Sequence, residues 1–283
     1  MSVQEITEKD VRSLLPVRKR DAHKGDFGRV LLVCGSVGYT GAAAMAAMAA
    51  ARCGSGLVYL GVPEPIWAVE AGKLLEPMVF PLPAKDGMLA AWAADELLLR
   101  AGKMDAVLAG PGLGVSRGTE EAVCRLAEEC TCPLVLDADG INVLSRHIDI
   151  LRDRKAPLIV TPHPGEFLRL GGVTDGATRE EAAASLAREL CCIVVLKGMG
   201  TVVTDGRSIL RNPTGNPGMA VGGSGDVLAG MIVSLLGQGL SPLDAASAAV
   251  WLHGRAGDLA AAELGEYGML PSDLLRILPR LLP

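Results

Sequence analysis

Five short apolar runs in this chain each end in a cluster of small or polar residues, and that repetition constrains the fold more than any other feature. Residues 29–34 (RVLLVC) run into Gly35 and Ser36, and residues 106–109 into Gly110, Pro111, Gly112, Leu113 and Gly114. Residues 134–136 are followed by Asp137, Ala138, Asp139 and Gly140, residues 158–160 by Thr161, Pro162, His163 and Pro164, and residues 193–196 by Lys197 and Gly198. Further strand-like runs lie at 57–60 and 201–204. Helical patterns at 41–52, 89–100, 120–129, 166–170 and 179–189 alternate with the strands, and three more close the chain at 226–236, 242–263 and 271–278. Repeated strand-then-helix order predicts an α/β fold with a mainly parallel central sheet and helices on both faces. Ligands of such sheets bind beyond the carboxyl ends of the strands, which is where the small and polar clusters fall.

The core material agrees. Hydrophobic residues make up 49% of 283 residues but aromatics only 3%, so the interior is built of Ala, Val, Leu and Ile, as doubly covered parallel strands require. No linker-like composition divides the chain. Residues 1–22 read as an N-terminal arm and 23–283 as one domain, and the short cluster Arg18, Lys19, Arg20 and Lys24 reads as solvated charge. A net charge of −5 without basic blocks argues against nucleic-acid binding. The apolar run 41–53 is too short to span a membrane, and residues 1–10 lack the apolar stretch of a signal peptide. A cytoplasmic protein with seven reduced cysteines is expected.

The densest local signal is the segment 216–226, NPGMAVGGSGD, which opens the predicted helix 226–236. Glycine-rich backbone at a helix start presents N–H donors and the positive end of the helix dipole. Gly222, Gly223, Ser224 and Gly225 thus form a candidate anion hole for a phosphoryl group. Asp226 stands beside it, placed to take a proton from an attacking hydroxyl; the alternative is an ordinary helix cap. The segment is not a Walker A loop, and no strict GxGxxG follows a strand. Asp137, Asp139 and Asn142 could bind hydroxyls or hydrated magnesium or cap a helix. His163, fixed between two prolines, suits a ligand contact, whereas Glu166 could equally cap the following helix. His23, His147 and His253 read as structural or surface residues.

Taken in order, His23-Lys24-Gly25, Gly35-Ser36, Tyr39-Thr40-Gly41-Ala42, Gly110-Pro111-Gly112, Asp137-Ala138-Asp139-Gly140, Thr161-Pro162-His163-Pro164-Gly165-Glu166 and the 216–226 loop resemble the ADP/ATP-dependent NAD(P)H-hydrate dehydratases of the ribokinase-like superfamily. The resemblance runs from His23 to the C-terminus. It implies a ribokinase-like fold and a carbon–oxygen lyase of metabolite repair. Such an enzyme returns the S-epimer of hydrated NADH or NADPH to NADH or NADPH at the expense of ADP or ATP with Mg2+, releasing phosphate and, from ADP, AMP. The alternative is a kinase of the same superfamily acting on a sugar or vitamin-precursor alcohol.

Carried over position by position, the resemblance makes Asp226 the catalytic base and a substrate contact, and Ala42, Gly112 and His163 further substrate contacts. Lys197, Gly198, Met199, Gly200, Thr201 and Gly225 become the adenine-nucleotide site, and Glu166 the glutamate that organises magnesium through water. It also implies a homotetramer and a functional pairing with a separate NAD(P)H-hydrate epimerase, because only about 25 residues precede the match. Two positions depart from the family pattern: Cys34 stands in place of a glycine and Val221 in place of a threonine.

Overall fold

The computed structural model describes residues 2–283. Its strands are β1 (Val3–Glu5), β2 (Arg29–Val33), β3 (Leu57–Pro63), β4 (Met78–Leu82), β5 (Ala84–Lys85), β6 (Met88–Leu89), β7 (Ala106–Ala109), β8 (Leu134–Leu136), β9 (Leu158–Val160), β10 (Ile193–Leu196), β11 (Val202–Thr204) and β12 (Ile209–Arg211). Ten of these form one sheet in the order β1-β12-β11-β10-β9-β8-β7-β2-β3-β4, and β5 and β6 pair as a separate hairpin. Within the large sheet only β11 runs against its neighbours, so the expectation of a mainly parallel sheet is met.

Period-two side-chain alternation builds the two faces. Val30, Leu32, Leu108 and Val135 point into one core, which is covered by the helices Thr40–Arg52, Ser224–Gly237 and Pro242–Leu264. Leu31, Val33, Val107, Leu134 and Leu136 point into the other, covered by Ala93–Ala101, Arg117–Glu129 and Arg179–Leu190. Strands buried on both faces read as unbroken apolar runs, which is why they were visible in the sequence.

The helix Thr40–Arg52 owes its alanines to a close helix neighbour. A Cβ on Gly230 would lie 2.2 Å from the Ala46 carbonyl oxygen, so its backbone rests against the helix Ser224–Gly237. That contact fixes the start of the second helix over the sheet.

The segment expected to be an arm joins the fold. β1 extends the sheet in parallel register with β12. The helix Glu8–Leu14 begins with a capping box in which Thr7 and Asp10 satisfy each other's backbone N–H groups. Ile6, Val11 and Leu15 enter the core. These three apolar residues sit among charged ones, so their spacing hides a docked element; only the charges at Arg18, Lys19, Arg20 and Lys24 are exposed as expected. The predicted helix 89–100 is also shorter than expected: Leu89 belongs to the hairpin, and the helix starts at Ala93.

Candidate active site

The sheet order reverses at β2, which has β3 on one side and β7 on the other. A crevice opens at such a switch point. The loops that leave β2 and β7 are tied together there: the Gly35 N–H donates to the Pro111 carbonyl at 2.8 Å and the Ser36 hydroxyl to the Gly112 carbonyl at 2.8 Å. Gly112 has φ +63, and a Cβ on it would meet the Ala42 Cβ at 2.8 Å and the Tyr39 Cβ at 3.0 Å. The structure thus brings together Ala42 and Gly112, two of the residues singled out from sequence.

The helix Ser224–Gly237 starts beside this crevice. Gly223 precedes it with φ +102, a conformation that glycine adopts without a Cβ penalty. A Cβ on Gly223 would strike Met45, on the helix that carries Ala42, whereas one on Gly225 would face the Lys197 ammonium at 3.6 Å. The first turn therefore stands between the crevice and the loop that follows β10. Within it the Ser224 N–H turns back to the Val221 carbonyl at 3.4 Å, while the N–H groups of Gly225 and Asp226 have no acceptor within the helix and can serve an anion.

Asp226 lies in this turn, half-buried. Burial, and then the nearby Asp137 and Asp139, raise its carboxyl from the usual 3.8 to about 6, against the opposing pull of Lys197. A carboxylate of that basicity is ionised at neutral pH yet remains a useful proton acceptor. The cap alternative is not realised in its usual form, because Gly223 occupies the cap position and Asp226 the third residue of the helix.

Asp137 differs. It is 1% exposed and accepts from Lys197 Nζ at 2.6 Å and from the Thr161 hydroxyl at 2.6 Å. Lys197 also lies 3.7 Å from Glu166 Oε2. Burial pulls the Lys197 pKa down, but Asp137 and Glu166 outweigh it and hold the ammonium above its usual range. Between Asp137 and Asp139, Ala138 has φ +47, a strained conformation for a residue with a Cβ. Asp139 accepts from the Gly114 N–H at 2.9 Å and from the Asn142 amide at 3.2 Å, and Asn142 accepts from Arg169 at 2.8 Å. The helix-cap reading is not realised, because Ala138 holds the cap position and Asp139 is the first residue of the helix Asp139–Leu144; Asp139 instead fastens the Gly110–Gly114 turn.

On the other side of the helix start lies a cavity of about 750 Å³, lined by Lys197, Gly198, Met199, Gly200, Thr201 and Gly225, and also by His163, Val221 and His253. All six residues expected at the nucleotide site share this wall. Met199 on this loop is 99% exposed. His163 lines this cavity, whose wall does not include Ala42 or Gly112. It caps the helix Pro164–Arg169, with Nδ1 accepting from Gly165 N–H at 3.0 Å, and the Glu166 carboxylate returns a bond to the His163 N–H at 2.8 Å. Glu166 thus takes the capping role left open by its sequence, while its burial beside Lys197 keeps it at the rim.

The sequence reading missed two residues here. Arg179 pins the Lys197–Thr201 loop through the carbonyls of Leu196 (2.8 Å), Lys197 (2.5 Å) and Met199 (2.8 Å). His253, set aside as structural or surface, is buried against the cavity with Nε2 unpartnered, and burial lowers its pKa to about 4, so it is neutral. A histidine inside the Ala-rich stretch 245–262 is the signal that could have marked it. His23 and His147 pair locally with Asp26 and Glu120.

Among the described residues, no three His, Cys, Asp or Glu side chains converge to hold a metal, and no helix is long and apolar enough to cross a membrane. The donor set does suit magnesium that arrives on phosphate oxygens and keeps its water, because the nearby carboxylates already hold protein donors.

Comparison with known proteins gives a consistent picture. Residues 30–280 match the NAD(P)H-hydrate dehydratase family model. The bifunctional NAD(P)H-hydrate repair enzyme of Moorella thermoacetica is 45% identical over 277 residues, covering 96% of this chain and 52% of that protein. The Escherichia coli enzyme of the same description is 36% identical, covering 99% and 52%. The chain spans about half the length of these curated relatives. The ADP/ATP-dependent NAD(P)H-hydrate dehydratase of Bacillus subtilis, co-crystallised with ATP and Mg2+, superposes with a TM-score of 0.83 at 33% identity, covering 99% of this chain and 98% of that one. A ribokinase-like superfamily protein of Enterococcus faecalis gives a TM-score of 0.86 at 26% identity, with 98% and 94% covered. The fold is ribokinase-like.

Proposed function

The chain belongs to the NAD(P)H-hydrate dehydratase family, and from that premise we propose that it uses ADP or ATP to dehydrate the S form of hydrated NADH and NADPH. The observation that carries the reading is Asp226: a carboxylate raised to about 6 in the first turn of a helix, next to Gly225 at a glycine-rich helix start. The crevice at Ala42 and Gly112 takes the hydrated nicotinamide, and the cavity at Lys197–Thr201 takes the adenine nucleotide. His163, at the mouth of the cavity, contacts the substrate's ribose or ring.

In this reading Asp226 accepts the proton of the C6 hydroxyl as its oxygen attacks the terminal phosphoryl group. The N–H groups of Gly222–Gly225 hold the charge that spreads over the phosphoryl oxygens. Phosphate is a far better leaving group than hydroxide, so it departs from C6 while the C5 proton is lost to solvent, and the C5–C6 double bond of the ring is restored. Magnesium, when bound, neutralises phosphate charge, and Glu166 holds its water. ADP as donor yields AMP and phosphate. An NAD(P)H-hydrate epimerase activity supplies the S form.

The test is to incubate the protein with hydrated NADH, Mg2+ and ADP or ATP, and to follow NADH absorbance and free phosphate together. Equal release of both is expected. Recovery without nucleotide overturns the phosphorylation route. A stable phosphorylated product supports the small-molecule kinase instead.

A further inference from the structure

The chain carries a second cluster of reactive side chains at the opposite ends of the strands, just before β8. Cys130 and Cys132 flank Thr131 in the turn between the helix Arg117–Glu129 and β8. Their Sγ atoms are 3.1 Å apart. The turn is fastened by Arg154, whose guanidinium donates to the carbonyls of Ala127 (2.5 Å), Cys130 (2.8 Å) and Cys132 (2.5 Å). Arg154 thus fixes the backbone that carries both sulfurs. The Cys132 thiol, and beyond it Arg154, also hold the Cys130 thiol below its usual range although burial opposes them. Burial chiefly raises Cys34, Cys53 and Cys192, with Asp226 and Asp137 adding to it at Cys34. The thiolate is the reactive form.

We propose that Cys130 and Cys132 form a reversible oxidation site for small hydroperoxides, closing to an intrachain disulfide. The Cys130 thiolate attacks one peroxide oxygen. The O–O bond breaks, the alcohol or water leaves with a proton from solvent, and Cys130 becomes a sulfenic acid. Cys132 Sγ then attacks the Cys130 sulfur. The S–O bond breaks and the oxygen leaves as water with the Cys132 proton. Two thiols and one hydroperoxide give one disulfide, one alcohol and one water, so atoms and electrons balance. Cys130 is 6% exposed and Cys132 partly exposed, which admits hydrogen peroxide more readily than a bulky disulfide.

The tryptic peptide 126–146 contains these two cysteines and no other, so mass spectrometry reads the pair directly. The folded protein is treated with hydrogen peroxide, alkylated, digested and mapped. This peptide should lose two hydrogens, resist alkylation and regain both thiols with dithiothreitol, ahead of any change at exposed Cys191. Cys130→Ser and Cys132→Ser should each abolish the loss of two hydrogens while leaving NADH recovery unchanged. Full alkylation of the peptide after peroxide overturns the proposal, as does sulfinic acid accumulating at Cys130 without a disulfide. Neither outcome depends on the substrate of the dehydratase site.

Discussion

The two sides of the helix start at Ser224 are made of different material. Towards the cavity, the turn after β10 and the helix start contribute small residues, Gly198, Gly200, Thr201 and Gly225, with Lys197 reaching both sides. Towards the sheet, the wall is charged side chains: Asp226, Asp137, Lys197 and Glu166 within one buried network. Backbone donors keep their geometry whatever the side chains do, which suits binding a nucleotide common to many reactions. Charged side chains set proton affinity, which suits the chemical step. Within the charged side itself, Asp137 is matched with a cation and a hydroxyl, whereas Asp226 is left with a raised proton affinity. One aspartate is spent on structure and the other is kept for the reaction.

The sharpest way to break that contrast is Asp226→Asn. The amide keeps size and hydrogen-bonding capacity but cannot take the proton, so turnover should fall by at least about a hundredfold. Nucleotide binding, measured by calorimetry, should stay near the parent value because the backbone donors are untouched. Stability gives an independent check with a worked sign. The Asp226 pKa is higher in the folded protein than the usual 3.8, so its contribution to stability is full at low pH and is lost as pH rises through about 6. At neutral pH the asparagine variant should therefore melt no earlier than the parent. Near-normal turnover would move suspicion to Asp137 or Asp139, and early melting would mark Asp226 as a structural cap.

Lys197→Met tests the other aspartate. It leaves Asp137 buried beside Thr161 and Glu166 without their cation, and removal of one partner of a buried pair costs about 3 kcal/mol. Urea denaturation should show a lower midpoint. Adding Asp137→Asn to Lys197→Met should recover part of that loss, as residues in one network are non-additive. Additive losses would mean that the two do not act as a pair.

The pH profile gives a second probe of Asp226. Asp226 must be ionised to act as a base, so kcat/KM should be flat above about pH 7 and fall roughly tenfold per pH unit well below 6. The acid limb should vanish in the residual activity of Asp226→Asn. A limb retained in that variant would assign it to another group.

How much of this was legible follows from how far apart the partners are. The β2, β7, β8, β9 and β10 strands and the Asp226 loop declare themselves locally, by apolar runs and by glycines at a helix start. The Asp137–Lys197 pair joins residues 60 apart in sequence, and no spacing rule connects them. The edge strand β4 contains Pro81, which weakens a strand reading, and β1 is exposed at all three positions, so neither shows a buried pattern. The nucleotide loop was placed by resemblance and the cavity gathers the same residues, but what holds the loop, Arg179, carries no local mark beyond its place in the first turn of a helix.

Arg179 supplies the smallest expected effect and the finest test of the backbone side. Its guanidinium reaches three carbonyls of the turn that follows β10, and a Cβ on Gly198 would lie 2.8 Å from it, so loop and guanidinium are packed as one unit. Arg179→Lys keeps the charge but replaces a planar fork by a single ammonium, which cannot span carbonyls in this arrangement. The loop should loosen without unfolding the sheet. Losing one or two net hydrogen bonds of about 1 kcal/mol each would weaken nucleotide binding roughly fivefold to thirtyfold if all of it were felt at the cavity. Part of the loss falls on the free loop, so a change near the lower end is expected. The KM for nucleotide should rise while kcat at saturation and the acid limb of the pH profile stay as in the parent, because Asp226 is untouched. A fall in kcat with unchanged nucleotide affinity would show that the turn positions the reacting phosphoryl group and not the adenosine, and would erase the division between a backbone side that binds and a side-chain side that reacts.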